Sequence, residues 1–156
     1  MDGYLLLKWV HILSATVLFG TGLGTAAHLW MTHRSGAVPA IAVAARNTVR
    51  ADWWFTLTSG IVQPTSGVGL IWLGGHDPFA TWLIATYSLY AIAGSCWVIV
   101  ALLQLRVRDL AQDAAVSDQA LPPAYYRIIR IWYALGWPAF LALLAIFWLM
   151  IAKPGA

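Results

Sequence analysis

The chain has 156 residues, 61% of them hydrophobic and 10% charged, with a net charge of +3 and no glutamate. Soluble domains are about 45–50% apolar and about a quarter charged; this chain carries more apolar surface than a water-soluble core can bury, and the bilayer is the solvent its composition calls for. Lys and Arg gathered in cytoplasmic loops account for the basic pI near 9.3 without nucleic acid as a partner, and a single cysteine, Cys96, excludes an intrachain disulfide and a cysteine metal cage.

Four apolar runs occur in chain order, about residues 4–31, 53–73, 81–105 and 131–152. Each is long enough to cross about 30 Å of hydrocarbon at about 1.5 Å per residue. The first run follows Asp2 with no early basic cluster and is too long for a cleaved signal, so a retained span is expected. It contains Gly20 and Gly24 in a GxxxG spacing that permits close approach of another helix. A loop bearing Arg34, Arg46 and Arg50 follows, in which Pro39 reads as a first-turn proline opening a helix over 40–52. In the second run Pro64 frees the carbonyl of Gly60, with Gln63 placed to satisfy it or a neighbouring helix. The turn Gly74–Phe79 has no Lys or Arg. The third run continues as helix through Arg106 and Arg108 toward Asp113, breaks at Ser117–Ala120, and Pro122-Pro123 starts the fourth, where Pro138 frees the carbonyl of Ala134.

The positive-inside rule places the two Arg-bearing loops in the cytoplasm and the 74–79 turn with both termini outside. Tryptophan divides independently the same way: Trp9, Trp72, Trp82 and Trp148 toward the outer interface, Trp30, Trp53, Trp54 and Trp132 toward the inner one. The expected fold is an all-α integral membrane four-helix bundle, up-down-up-down, in one domain over 1–156, multi-pass in a bacterial inner membrane.

Ionisable residues inside a span are costly and are therefore candidates for function. Lys8 and His11 share a face of the first helix one turn apart. Lys8 can snorkel, whereas His11 lies about 10 Å inside the outer boundary by helical rise. For His11 two readings stand: a neutral imidazole bonded between helices, or an axial ligand to a haem iron in the bundle core. His28 is about 25 Å farther along the same helix and cannot reach the same iron. His28 and His33 read as interfacial caps, or as part of a cytoplasmic polar cluster with Asp52, Arg106 and Arg130. His76, in the outer turn, is on the same side as His11, either as a solvated loop residue or as a second ligand.

Several stretches carry a resemblance: Lys8-Trp9-Val10-His11-Ile12, Phe19–Gly24, His28–Gly36, Ala51-Asp52-Trp53, Val62-Gln63-Pro64, Leu121-Pro122-Pro123 and Leu135–Phe140. Together they resemble a bacterial family described as predicted integral membrane proteins, a domain of unknown function, over essentially the whole chain. More distantly, the first helix is similar to that of the haem-containing membrane protoporphyrinogen oxidase and of the copper-resistance D membrane domain, with His33 matching a second histidine about 25 residues after the first. That resemblance implies His11 as the haem-associated histidine. The oxidase carries a Lys in a later helix and 81–105 has none, which separates this chain from the oxidase activity more than from the haem.

The expectation drawn from these residues is a membrane protein binding haem b, with His11 as axial and metal ligand, Lys8, His76 and Gln63 around the cofactor, and a redox or haem-related role. The alternatives are a non-enzymatic membrane subunit or assembly partner and a small-solute or proton transporter, whose broken helices would lie at Pro64 and Pro138. The expected partners are the lipid bilayer and, through small-residue faces, a second copy or another membrane subunit.

Overall fold

The computed structural model describes residues 3–155; Asp2, which bears on the character of the N-terminal run, lies outside them. Helix α1 spans Gly3–Ser35, α2 Val38–Ala51, α3 Leu57–Gly74, α4 Thr81–Val116 and α5 Pro123–Ala152, and a π-helical turn, Asp52–Thr56, joins α2 to α3 without a break. No strand occurs among the described residues. The helix starts follow local chemistry: Pro39 and Pro123 sit in the first turn of α2 and α5, where an N–H is not needed. At the other end of α3, Gly75 takes φ 64° and closes the helix, with His76 N–H donating to Ile71 O at 3.1 Å and Gly75 N–H to Trp72 O at 3.3 Å. Asp77 then caps the turn by accepting the Phe79 N–H at 2.9 Å.

Two antiparallel pairs result, α1 with α3 and α4 with α5, and α2 lies between α1 and α4. The direction of the first pair is visible in its contacts, which run from Gly60 beside Leu18, through Gly67 beside His11, to Gly69 beside Leu7. The close approach belongs to the glycines of α3. A Cβ on Gly69 would stand 2.6 Å from Leu7 Cδ2, whereas one on Gly20, Gly22 or Gly24 would meet nothing within 4 Å. The GxxxG of α1 therefore makes no close approach to another helix among the described residues.

Burial is concentrated where Arg residues cluster. The main core joins Leu29 of α1, Ile41, Ala44 and Ala45 of α2, Val107 and Ala111 of α4, and Tyr125, Ile129 and Trp132 of α5. A smaller group at the opposite end holds Ile71, Trp82 and Leu83. Between them the surface is apolar: Trp9, Ile12, Ile61, Trp72, Leu102, Leu141 and Ile151 are all exposed. Three helices, α1, α4 and α5, are long and apolar enough to cross a membrane, and of the described residues of α1 only Ser14 and Leu29 are buried. Side chains that find no protein partner across such spans need lipid. The chain is thus an all-helical, multi-pass membrane protein.

The run over 53–73 differs from the other three. Its first residues form the π turn, and α3 dilutes its apolar content with Thr58, Ser59, Gln63, Thr65 and Ser66. Each hydroxyl folds back on a carbonyl one turn earlier, as in Thr58 to Trp54 O at 2.6 Å and Thr65 to Ile61 O at 3.0 Å, so the helix carries its polar atoms already satisfied. The tryptophan division also changes in two places. Trp82 is buried under the Lys153 ammonium, 5.5 Å from its ring centre, and Trp132 is buried in the core; both pack between helices instead of facing an interface.

Because Leu7 fills the space that Gly69 leaves, Gly69→Ala is expected to cost about 1–2 kcal/mol through overpacking. The Leu7→Ala, Gly69→Ala double variant should be more stable than the sum of the single losses, as read by thermal unfolding in detergent.

Candidate functional site

The interior of the α1–α3 pair is a ladder of polar contacts. Ser14 O–H donates to Gln63 Oε1 at 2.8 Å and shares its proton with His11 O at 3.0 Å. One turn toward the 74–79 turn, His11 Nδ1 lies 2.8 Å from Ser66 Oγ. Below Gln63, Tyr90 of α4 donates its O–H to Gly60 O. Pro64 has no N–H to offer that carbonyl, so Tyr90 replaces the missing helical bond. Gln63 takes the second of the two roles its position allowed, joining α3 to α1.

The histidine tautomer follows from the network. Ser66 has one hydroxyl proton, and it points to Val62 O at 2.6 Å. Its oxygen is therefore the acceptor toward His11, which donates through Nδ1–H, and the lone pair of the imidazole is on Nε2. No protein group bonds Nε2 among the described hydrogen bonds, and the ring lies against Gly67, whose missing side chain leaves 3.4 Å from a built Cβ to His11 Cε1. A groove lined by Val10, Leu13, Ser14, Val17, Thr58, Ser59 and Val62 opens along the same helix pair.

The other residues singled out in the sequence do not converge on His11. Lys8 is exposed one turn away. His76 packs beside Gly74 and edge-on to Trp82, 5.8 Å between ring centres. Gly74 is two turns past the Gly67 that touches His11, a separation of about 10 Å by helical rise, so the two rings stand at different levels. Among the described residues no three His, Cys, Asp or Glu side chains gather as metal ligands.

The polar cluster of His28, His33, Asp52, Arg106 and Arg130 does not assemble. His28, Arg106 and Arg130 are exposed. His33 turns to α5, with Nδ1 3.2 Å from Tyr125 Oη and its ring stacked on Tyr125. Asp52 is buried, 6% exposed, and bonds neutral partners: Thr56 Oγ1–H to Oδ1 and Gln104 Nε2–H to Oδ2, both at 2.8 Å. The only ion pair among the described residues is Arg108 with Asp109 on the surface of α4. Arginines with water and headgroup positions available stay out, since a guanidinium would have to shed its hydration to join a buried acid.

Sequence reasoning named His11, Gln63 and Asp52 but not their partners Ser14, Ser66, Thr56 and Gln104, nor Tyr90, which bonds the Gly60 carbonyl. Serine and threonine within a helix ordinarily bond their own backbone, and nothing in their spacing marks the ones that also face a neighbour. Gln104, at the end of an apolar run, is the one partner whose cost in hydrocarbon was a readable signal.

Tyr90→Phe is expected to cost about 1–3 kcal/mol by leaving Gly60 O without a donor. In a Pro64→Ala background, where the restored backbone N–H at that position can return to the Gly60 carbonyl, the same change should cost well under half as much, measured as a double-mutant cycle by thermal unfolding in detergent micelles.

No curated protein and no solved structure matches the chain. A family model described as "Predicted integral membrane protein" matches residues 5–154, from the first turns of α1 to the end of α5. The chain therefore belongs to the DUF2269 family of predicted integral membrane proteins.

Proposed function

We propose that this protein is a haem b-binding component of a bacterial inner membrane with a redox or haem-related role. The observation that carries the reading is the 2.8 Å contact of His11 Nδ1 with Ser66 Oγ, which assigns the proton to Nδ1 and leaves Nε2 a lone pair that no group among the described residues uses. Histidines that bind metal ordinarily show this arrangement, in which a hydrogen bond on one nitrogen orients the ring and raises the basicity of the other. The groove along the same helix pair is mostly apolar, as the face of a porphyrin requires. Lys8, one turn away and exposed, is the cation available to a carboxylate of the bound group. His76, at a different level, is not the partner on the same iron. A bound haem would supply one-electron chemistry; the chain's own residues orient the ligand, exclude water along the α1–α3 seam and hold the Nδ1 proton.

In this reading residues 53–73, the π turn after Asp52 together with α3, supply a fourth crossing, about 30 Å by helical rise. The bundle is then up-down-up-down, with the Arg-bearing end in the cytoplasm and both termini outside. A second reading, a subunit without cofactor that docks a second copy or another membrane protein, is favoured by Gly20, Gly22 and Gly24, which meet nothing within the chain.

Protein purified in mild detergent from haem-sufficient cells should show a Soret band and a pyridine haemochrome. His11→Ala should abolish both, and Ser66→Ala should weaken haem retention about 10–100-fold. A colourless wild-type protein, or a Soret spectrum unchanged in His11→Ala, overturns the haem reading and leaves the subunit reading standing.

A further inference from the structure

The most unusual buried group in the molecule has no part in the α1–α3 seam. Asp52 opens the π turn, a feature with one residue more than an α-helical turn and one that recurs at functional sites. Its carboxyl faces α4 and has only neutral partners, Thr56 and Gln104. No charged side chain stands by it from any element packed against the turn. On α2, Arg46 and Arg50 are exposed; on α4, Arg106 is exposed; on α1, His28 is exposed and His33 is turned to Tyr125; α3 has no titratable residue. A buried carboxylate without a counter-charge is costly, and the group answers by taking a proton.

The surrounding atoms suit that answer. Gln104 is 2% exposed; its Nε2 serves Asp52 while its Oε1 has no partner. Thr48, one turn before Asp52 on the same face and 1% exposed, has an unpartnered hydroxyl. The Trp97 indole N–H, buried and without a partner inside hydrogen-bond limits, is near enough to Asp52 to add to the pull of its donors. This surrounding is richer in donors than in acceptors, which suits an acid that alternates between charged and neutral and does not suit a metal cation, whose ligands must all be acceptors.

We propose that Asp52 and Gln104 form a proton-binding site at the Arg-bearing end of the bundle, loaded and emptied by rotation of one amide. With Asp52 ionised, Gln104 Nε2–H donates to Oδ2, as observed. With Asp52 protonated on Oδ2, a half-turn of the Gln104 amide presents Oε1, which accepts the new O–H; Thr56 keeps its bond to Oδ1 in both states. One proton is gained from water and lost to it; the Gln104 Nε2–H bond to Oδ2 is exchanged for an Oδ2–H bond to the orphaned Oε1, so Nε2 gives up its partner in the loaded state. Asp52 lies just before the apolar run 53–73, outside it, and burial pushes its carboxyl above the ordinary carboxylate range against the opposing pull of the Gln104, Thr56 and Trp97 donors. The site is independent of any haem.

The test is the protonated-carboxyl C=O stretch in infrared difference spectra of the full-length protein in liposomes, titrated from mildly acid to mildly alkaline pH. The wild type should show the band in mild acid and lose it on alkalinisation. Asp52→Asn should lack it, and Asp109→Asn, which alters an exposed acid, should keep it. Gln104→Met, which removes the donor that stabilises the ionised form, should move the loss of the band to higher pH. Folded Asp52 holds its proton to higher pH than in the unfolded chain, so wild-type stability should fall as pH rises through that window while that of Asp52→Asn stays flatter. A wild-type protein with no such band even in mild acid, or a band retained in Asp52→Asn, overturns the proposal, as does a Gln104→Met titration unchanged from wild type. The wild-type and Gln104→Met measurements decide the matter even if Asp52→Asn does not fold.

Discussion

A polar atom facing hydrocarbon has no water to turn to, and that one constraint organises this molecule. It is most visible in α3, where the hydroxyls of Thr58, Ser59, Thr65 and Ser66 all fold onto carbonyls of the preceding turn. What the helix cannot settle within itself it settles with neighbours. Pro64 withholds an N–H, and a phenol from α4 arrives in its place; Gln63 reaches across to Ser14 of α1. The same obligation that makes α3 less apolar than its companions ties it to both of them.

The fold divides by solvent accordingly. At the Arg-bearing end, where helices run past the apolar spans, the chain buries Leu29, Ile41, Val107, Tyr125 and Ile129 much as a soluble domain would. Along the spans it leaves large apolar side chains outward, because lipid contacts are as favourable for them as contacts with another helix. Helix pairing there depends on shape. Gly67 and Gly69 let α1 lie close, and a leucine and a histidine ring fill the space thus made.

Much of this was legible in the sequence because it rests on length, breaks and charge. The start of α2 near Pro39, the run of α4 past Arg108 and the restart at Pro123 all follow from apolar runs and backbone chemistry, whereas α1 runs on to Ser35, past the expected end near residue 31. Which faces meet was not legible. GxxxG on α1 and the Gly67-Val68-Gly69 stretch of α3 look alike as small-residue patterns, and only the second is used within the chain. The expected grouping of Asp52 with Arg106 and Arg130 failed for a related reason: opposite charges at the same end of a bundle meet only if the cation is willing to leave water, and here the acid is enclosed by Thr56 and Gln104 instead. The site at His11 shows the same split. Its depth could be counted along the helix, but its tautomer depends on a serine hydroxyl whose proton is engaged elsewhere.

The π turn carries a geometric burden for everything after it. It holds one residue more than a regular helix would, and each residue turns an α-helix by about 100°. Winding the same residues as regular α-helix from α2 into α3 would leave that residue nowhere to be absorbed and would swing the rest of α3 about its own axis by about that angle. Ser66, Gln63 and Gly69 would then face a different quadrant from α1, and the Gly60 carbonyl would point away from Tyr90. The insertion acts as a phase shifter between the two ends of the molecule: a packed amphipathic helix on one side and a polar-lined helix on the other keep separate rotational settings on a single unbroken rod.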